Sequence, residues 1–226
     1  MIETLIGESM SAIPSGHHRH GSATEDPSGA RLSPSGYVVL EKMRWRTPEW
    51  LVKSIAKDLG IDQFDLDAAG EHEAKCALQV LTMEDDCLVA EWNEVPNLLG
   101  TTIQNVFFNP PWGAKGLVKA ARVAFPEQKL AAFPGTAAFV KRAHQQSQSH
   151  GLTVALLIGV TMDAWQRPLA ALADEVWFGP RIRFEDVHGN PGPQPPGPHM
   201  VLIFRGNVPE NGWPGGPRVR WDWSPL

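Results

Sequence analysis

Two cysteines in 226 residues, Cys76 and Cys87, leave no material for a disulfide scaffold and fit a reducing compartment. No apolar run approaches the roughly 20 residues of a membrane span; the longest, around Val154 to Val160, suits a buried strand. The N-terminus lacks the basic-then-apolar pattern of a secretory signal, so a cytoplasmic setting is expected. There is no internal repeat. Metal ligands are also scarce: His72 and Cys76 stand four apart without a second pair, and His17, His18 and His20 belong to a polar, flexible stretch, so no metal site is expected. Basic charge is in deficit, with a formal net charge of -5. That alone argues against nucleic acid, whose phosphates are met by Lys and Arg.

The distribution of charge points the other way. Between Asp58 and Glu94 stand eleven acidic residues and one basic residue, Lys75; between Lys115 and Arg142 stand six basic residues and one acid, Glu127. An acidic half suits a cationic cofactor and a basic half suits phosphate, although two solvated faces would read the same way.

Between these halves lies Asn109-Pro110-Pro111-Trp112, directly after the apolar run Val106-Phe107-Phe108. The Asn side-chain oxygen and the Pro110 carbonyl can accept both hydrogens of an amine, while the Trp112 ring stacks on the base that carries it. Proline fixes the backbone so that these acceptors stand in place beforehand. An exocyclic amine conjugated to a purine is a poor nucleophile. Acceptors that draw its hydrogens out of the ring plane push lone-pair density toward an electrophilic methyl group, with no nearby general base required. The tetrapeptide read alone is equally a strand stop, because proline cannot continue a ladder and Asn favours turns.

Residues 1–36, rich in Ser, Gly, Pro and His, form an expected disordered tail, residues 37–206 one domain, and residues 207–226 an irregular tail. Thr47 is expected to cap a helix whose first turn holds Pro48 and whose apolar face is Leu51, Val52, Ile55 and Leu59, with Gly60 ending it. The alternation in Phe64-Asp65-Leu66-Asp67 predicts a short strand ending in carboxylates. A helix over Glu71 to Leu78, a strand at Leu78 to Leu81 and a turn at Glu84-Asp85-Asp86 should follow. Helices around Leu117 to Ala124, Ala137 to Ser147 and Leu169 to Ala173 are predicted, with a central strand over Leu152 to Val160. Late strands are predicted at Val176 to Phe178, Ile182 to Phe184 and Met200 to Phe204. Such alternation predicts an α/β sheet with its ligands at the carboxyl ends of the strands.

Taken in order, Trp45-Arg46-Thr47-Pro48, Phe64-Asp65-Leu66-Asp67-Ala68-Ala69, Asp85-Asp86-Cys87-Leu88 with Trp92, Phe107-Phe108-Asn109-Pro110-Pro111-Trp112-Gly113 and Arg181-Ile182-Arg183-Phe184 resemble the phage-type DNA N6-adenine methyltransferases. The resemblance covers about Arg44 to Phe204. It implies a Rossmann-like methyltransferase sheet, mostly parallel with a late antiparallel hairpin and helices on both faces, in the cytoplasm of a bacterial or phage-infected cell.

It also implies S-adenosylmethionine as cofactor and DNA as partner. Thr47 and Pro48 would contact the methionine end of the cofactor; Asp65, Asp67 and Ala68 would form its loop; Asp85 or Asp86 would meet its adenine or ribose. Asn109, Pro110, Pro111 and Trp112 would form the amine site, Asn109 also adjoining the cofactor. The chain departs from the family in having only Gly70 in the cofactor loop, without a Gly-x-Gly spacing, and in placing Trp112 where Tyr or Phe is usual.

Lys115, Lys119 and Arg122, in a stretch longer than the family's, are candidates for DNA contact, and so are Arg181 and Arg183, which read equally as a solvated edge. No separate target-recognition domain can be carved out, so the loops Lys115 to Thr136 and Asn190 to Pro198 are expected to read any recognition sequence. The amine site itself would serve an RNA base or a glutamine amide equally well, and a non-catalytic DNA-binding module that kept the fold is a further reading.

Overall fold

Apolar runs without a polar break, such as 105–108 and 153–159, belong where both faces of a sheet are covered. The computed structural model describes residues 30–39, 45–71, 76–96, 100, 102–112, 123, 125–127, 129–161, 163–186, 188–206, 216–221 and 223–224. The elements in chain order are β1 (Arg31–Leu32), β2 (Val38–Val39), α1 (Glu49–Leu59), β3 (Phe64–Asp67), β4 (Ala77–Val80), β5 (Asn105–Phe108), α2 (Thr136–His150), β6 (Thr153–Gly159), α3 (Gln166–Ala170), β7 (Glu175–Gly179), β8 (His199–Phe204) and β9 (Arg218–Arg220).

Seven strands form one sheet in the order β4-β3-β5-β6-β8-β7-β9, and β1 pairs β2 separately. The pairs β4-β3, β3-β5 and β5-β6 are parallel; β8 runs antiparallel to both β6 and β7, and β9 is parallel to β7. The two apolar runs are β5 and β6, in the middle. Their side chains divide by alternation: Val106, Phe108, Val154, Leu156 and Ile158 pack with Phe139, Val140 and Ala143 of α2. Phe107, Ala155 and Leu157 face the other way, onto Leu51, Val52, Ile55 and Ala56 of α1. Helices thus cover both faces, as expected. Among the described residues no helix is long and apolar enough to cross a membrane.

Gly60 ends α1 in the left-handed conformation, φ 74°, as its sequence suggests. The start of α1 differs from expectation. Pro48 takes the N-cap position and no side chain caps the helix, because the Thr47 hydroxyl accepts from the Asn109 amide instead. Residues 72–75 lie outside the described residues, but Ala77, expected in a helix, belongs to β4, where it pairs with Phe64.

Ile182 to Phe184 keeps its alternation, Ile182 and Phe184 buried between exposed arginines, without forming a strand. The Ile182 N–H donates to His199 Nδ1 at 3.1 Å and the Phe184 carbonyl accepts from Gly192 at 2.7 Å, so the groups of a ladder are used locally. At both ends the chain carries structure where tails were expected. Arg31 and Leu32 pair with Val39 and Val38, and β9 adds to the sheet at β7. The helix predicted at Leu169 to Ala173 begins earlier, at Gln166. The one predicted around Leu117 to Ala124 lies, but for Val123, outside the described residues.

Candidate functional site

The chain crosses from β3 to β4 on one side and later returns to β5 on the other. At such a reversal the connections diverge and leave a crevice at the carboxyl ends of the strands. Asp67 ends β3 and Asn109 follows β5, so the carboxylate and the amide meet at that crevice. Two cavities open there, of about 240 and 220 Å³, and both are lined by Trp45 and Asn109.

The first cavity is mixed in character, its apolar walls interrupted by acids, with Thr47, Asp67, Ala68, Asp86 and Asn109 among its lining residues. The Ala68 N–H donates to the Phe107 carbonyl at 2.9 Å and that of Gly70 to the Leu81 carbonyl at 3.1 Å, which pins the loop after β3 between its neighbours. Asp67 is 5% exposed and its Oδ1 accepts the Ala69 N–H at 3.1 Å. Burial pushes its carboxyl up to about 7, against the pull of that N–H. A cation entering the cavity would find a carboxylate that water no longer stabilises.

Gly70 explains how one glycine suffices here. A Cβ on it would stand 2.7 Å from Val80 Cγ1 and 2.8 Å from Asp67 Oδ2. Gly70→Ala is therefore expected to displace the carboxylate and to destabilise the fold by about 1–3 kcal/mol through overpacking. Thermal denaturation would measure the destabilisation.

The acids sort sharply. Asp86 reaches the first cavity: it has a φ of 52°, is 1% exposed, and accepts from the Tyr37 hydroxyl at 3.1 Å and the Leu88 N–H at 3.2 Å on Oδ1, and from the Ser35 N–H at 3.2 Å on Oδ2. Burial first, then Cys87 and Asp86, holds the Tyr37 phenol well above its ordinary range, so it donates. Asp85 instead closes its own turn, its Oδ2 accepting the N–H and hydroxyl of Thr82 at 2.8 and 2.9 Å.

Asp65 is likewise absent from the cleft. Its Oδ2 accepts the N–H groups of Gln104 and Asn105 at 2.9 and 2.8 Å, at the start of β5. Two residues before the strand end it lies about 7 Å back from the rim. Pro48, at the helix cap, lines neither cavity.

Asn109 is held from both ends. Its Nδ2 donates to Thr47 Oγ1 at 2.9 Å, and Trp112 Nε1 donates to its Oδ1 at 3.1 Å. An indole N–H can only donate, so the contact identifies the oxygen of the amide. Oδ1 keeps a second lone pair for a ligand. Trp112 packs edge-on against Phe184 (centroids 4.8 Å, 78°) and tilted against His199 (5.1 Å, 33°).

Trp112→Phe keeps an aromatic wall and removes this donor. We expect the variant to lose about 1 kcal/mol of stability, the worth of one hydrogen bond, read as a lower midpoint in thermal denaturation.

The second cavity is apolar, walled by Trp45, Pro110, Trp112 and Phe184 and closed by the loop from Gly192 to Pro196. Pro111 lines the first cavity, so the tetrapeptide forms the partition between the two. Both cysteines are poor nucleophiles: burial pushes the Cys76 thiol, on the first cavity, up to about 12, and raises Cys87 as well.

Sequence reasoning assigned no role to Tyr37, Trp45, Phe184 or Glu185, which line these cavities. Trp45 and Phe184 stand within motif segments, but what carries them to one site is the backbone pairing of Arg46 with Glu185, at 2.8 and 2.9 Å. Arg181 and Arg183 are exposed, the second donating from Nε to Gln194 Oε1 at 2.8 Å. Lys115, Lys119 and Arg122 lie outside the described residues.

No curated protein matches the chain in sequence. Among solved structures, the methyltransferase subunit of the type I restriction-modification system from Streptococcus thermophilus is similar over 73% of this chain, with 17% identity and a TM-score of 0.41. This chain spans 45% of the length of that subunit. The family described as DNA N-6-adenine-methyltransferase (Dam) matches residues 36–211, which take in the whole of both cavities. Since that match covers well over half of the sequence, the chain belongs to the DNA N-6-adenine-methyltransferase (Dam) family.

Proposed function

We propose that the protein transfers a methyl group from S-adenosylmethionine to the exocyclic N6 amine of an adenine flipped out of duplex DNA. The observation that carries this reading is the pair of adjoining cavities, one lined by several acids, one apolar and aromatic, with Asn109 on both. A methyl donor and a base held in them would meet at that amide.

The first cavity fits the cofactor by the chemistry of its residues. Asp67 offers a buried carboxylate to an ammonium group, and Asp86 retains acceptor capacity for hydroxyl or amine hydrogens. S-adenosylmethionine supplies a methyl group already activated by its sulfonium, so the protein's work is alignment. Asn109 Oδ1 and the Pro110 carbonyl accept the amine hydrogens, which frees the nitrogen lone pair from the ring. Trp45, Trp112 and Phe184 surround the base and exclude water. The exposed Arg181 and Arg183, beside the loop that closes the base cavity, meet phosphate, and Lys115, Lys119 and Arg122 do so by their position in the sequence.

Labelled S-adenosylmethionine, offered with duplex DNA, RNA and protein, tests this. Label should enter DNA as N6-methyladenine, and sequencing of a treated plasmid should locate the sites. Label found only in RNA or protein, or no thermal stabilisation by S-adenosylhomocysteine, would overturn it.

A further inference from the structure

Among the described residues that line the base cavity, only two side chains carry carboxamides, Asn109 and Gln194; the rest of the wall is aromatic rings, prolines and a glycine. Stacking surfaces accept every base, since every base has a π-face. Discrimination needs a polar group that one base satisfies and another leaves unpaired. Asn109 is committed to the amine and the Trp112 N–H to Asn109; of the polar side chains that remain on the wall, Trp45 and Gln194, Gln194 is the one held in place by a hydrogen bond from Arg183. We propose that Gln194 reads the target base, donating from Nε2 to a ring nitrogen beside the methylated amine, and that Arg183 orients it. This rests on reading the second cavity as the base pocket.

The orientation follows from donor chemistry. A guanidinium N–H cannot accept, so the Gln194 atom 2.8 Å from Arg183 Nε is the carbonyl oxygen, and the amide NH2 is left as the donor. Pro193, Pro195 and Pro196 flank the residue and limit the backbone freedom it would lose on binding. Arg183 is itself anchored by its buried neighbours Ile182 and Phe184. Adenine presents acceptors on both sides of its amine, N1 and N7. Cytosine presents one, N3, beside a C–H. A donor aimed at N7 therefore excludes cytosine, and one aimed at N1 does not.

The test uses the full chain, S-adenosylmethionine and duplex DNA carrying a mapped site in which the target is adenine, 7-deazaadenine or 1-deazaadenine. Gln194→Leu should lower kcat/KM on adenine about tenfold or more, while its affinity for S-adenosylhomocysteine stays unchanged. Arg183→Ala should lower kcat by a smaller factor, read at saturating DNA because the same side chain also meets phosphate. One of the two analogues should slow the wild type by a similar factor and slow Gln194→Leu no further, which also tells which ring nitrogen is read. The proposal fails if Gln194→Leu matches the wild type on adenine, or if both analogues slow wild type and variant equally. If the wild type does not methylate unmodified adenine in DNA, the function reading fails and this inference with it.

Discussion

Asn109→Ala is expected to abolish measurable methyl transfer, with kcat falling on the order of a thousandfold, as happens when a preorganised polar group at a reacting centre is lost. The physical reason lies in the two contacts that hold the amide, from Trp112 Nε1 and to Thr47 Oγ1. They fix its orientation before substrate arrives, so its free lone pair faces one direction. Alanine removes an acceptor that nothing nearby replaces, and it leaves the Asp67 and Asp86 cluster untouched. Affinity for S-adenosylhomocysteine should therefore persist by isothermal titration while turnover disappears. A variant that methylates DNA at the wild-type rate would remove Asn109 from the mechanism.

The second large effect is expected from Asp67→Asn, read in cofactor affinity and its pH dependence. In the free protein burial raises this carboxyl from 3.8 to about 7. A raised folded value means that the protonated form fits the fold better than the charged one. The stability this lends is fully present below about 4, declines as pH rises toward 7, and is gone above that.

A ligand ammonium reverses the preference by pairing with the charged form. Affinity for S-adenosylmethionine should rise as pH is raised through about 7 and level off above it. Asn cannot ionise, so the variant should bind on the order of a hundredfold or more weakly, since a buried charge loses its partner, and its residual affinity should be flat across that range. In the free state at pH 8 it should melt higher than the wild type, by roughly 5 °C. Unchanged affinity, or affinity that falls as pH rises through 7, would exclude Asp67 as the counter-charge.

Much of this architecture was legible along the chain. Val106 to Phe108 reads as a buried strand and Leu152 to Val160 as a central one because their unbroken apolar character admits little else, and Gly60 marks a helix end because few other residues accept its φ. Local signals failed where a backbone or side-chain group found a distant partner. Thr47 has the chemistry of a cap, yet its hydroxyl serves Asn109, 62 residues on. Ile182 to Phe184 has the alternation of a strand, yet its N–H meets the ring of His199. Residues 218–220 read as tail, yet an unpaired edge of β7 was available to them.

The candidate site divides along the same line. Composition and spacing alone established that acids precede a basic stretch and that an amide-proline-proline-aromatic segment follows a buried strand. Those facts depend on covalent order and short-range sterics, which the sequence contains in full. Which acids matter depended on the sheet. Asp65 and Asp67, two residues apart, part company because one step of the strand separates a carboxylate that staples β5 from one that faces the crevice. Asp85 and Asp86, adjacent in sequence, separate because a φ of 52° turns the second toward Tyr37. The second cavity, assembled from Trp45, Trp112, Phe184 and the 192–196 loop, exists only through pairings between residues far apart in the chain. Local sequence carries no record of such pairings, because their free energy arises only once the chain has brought both partners together.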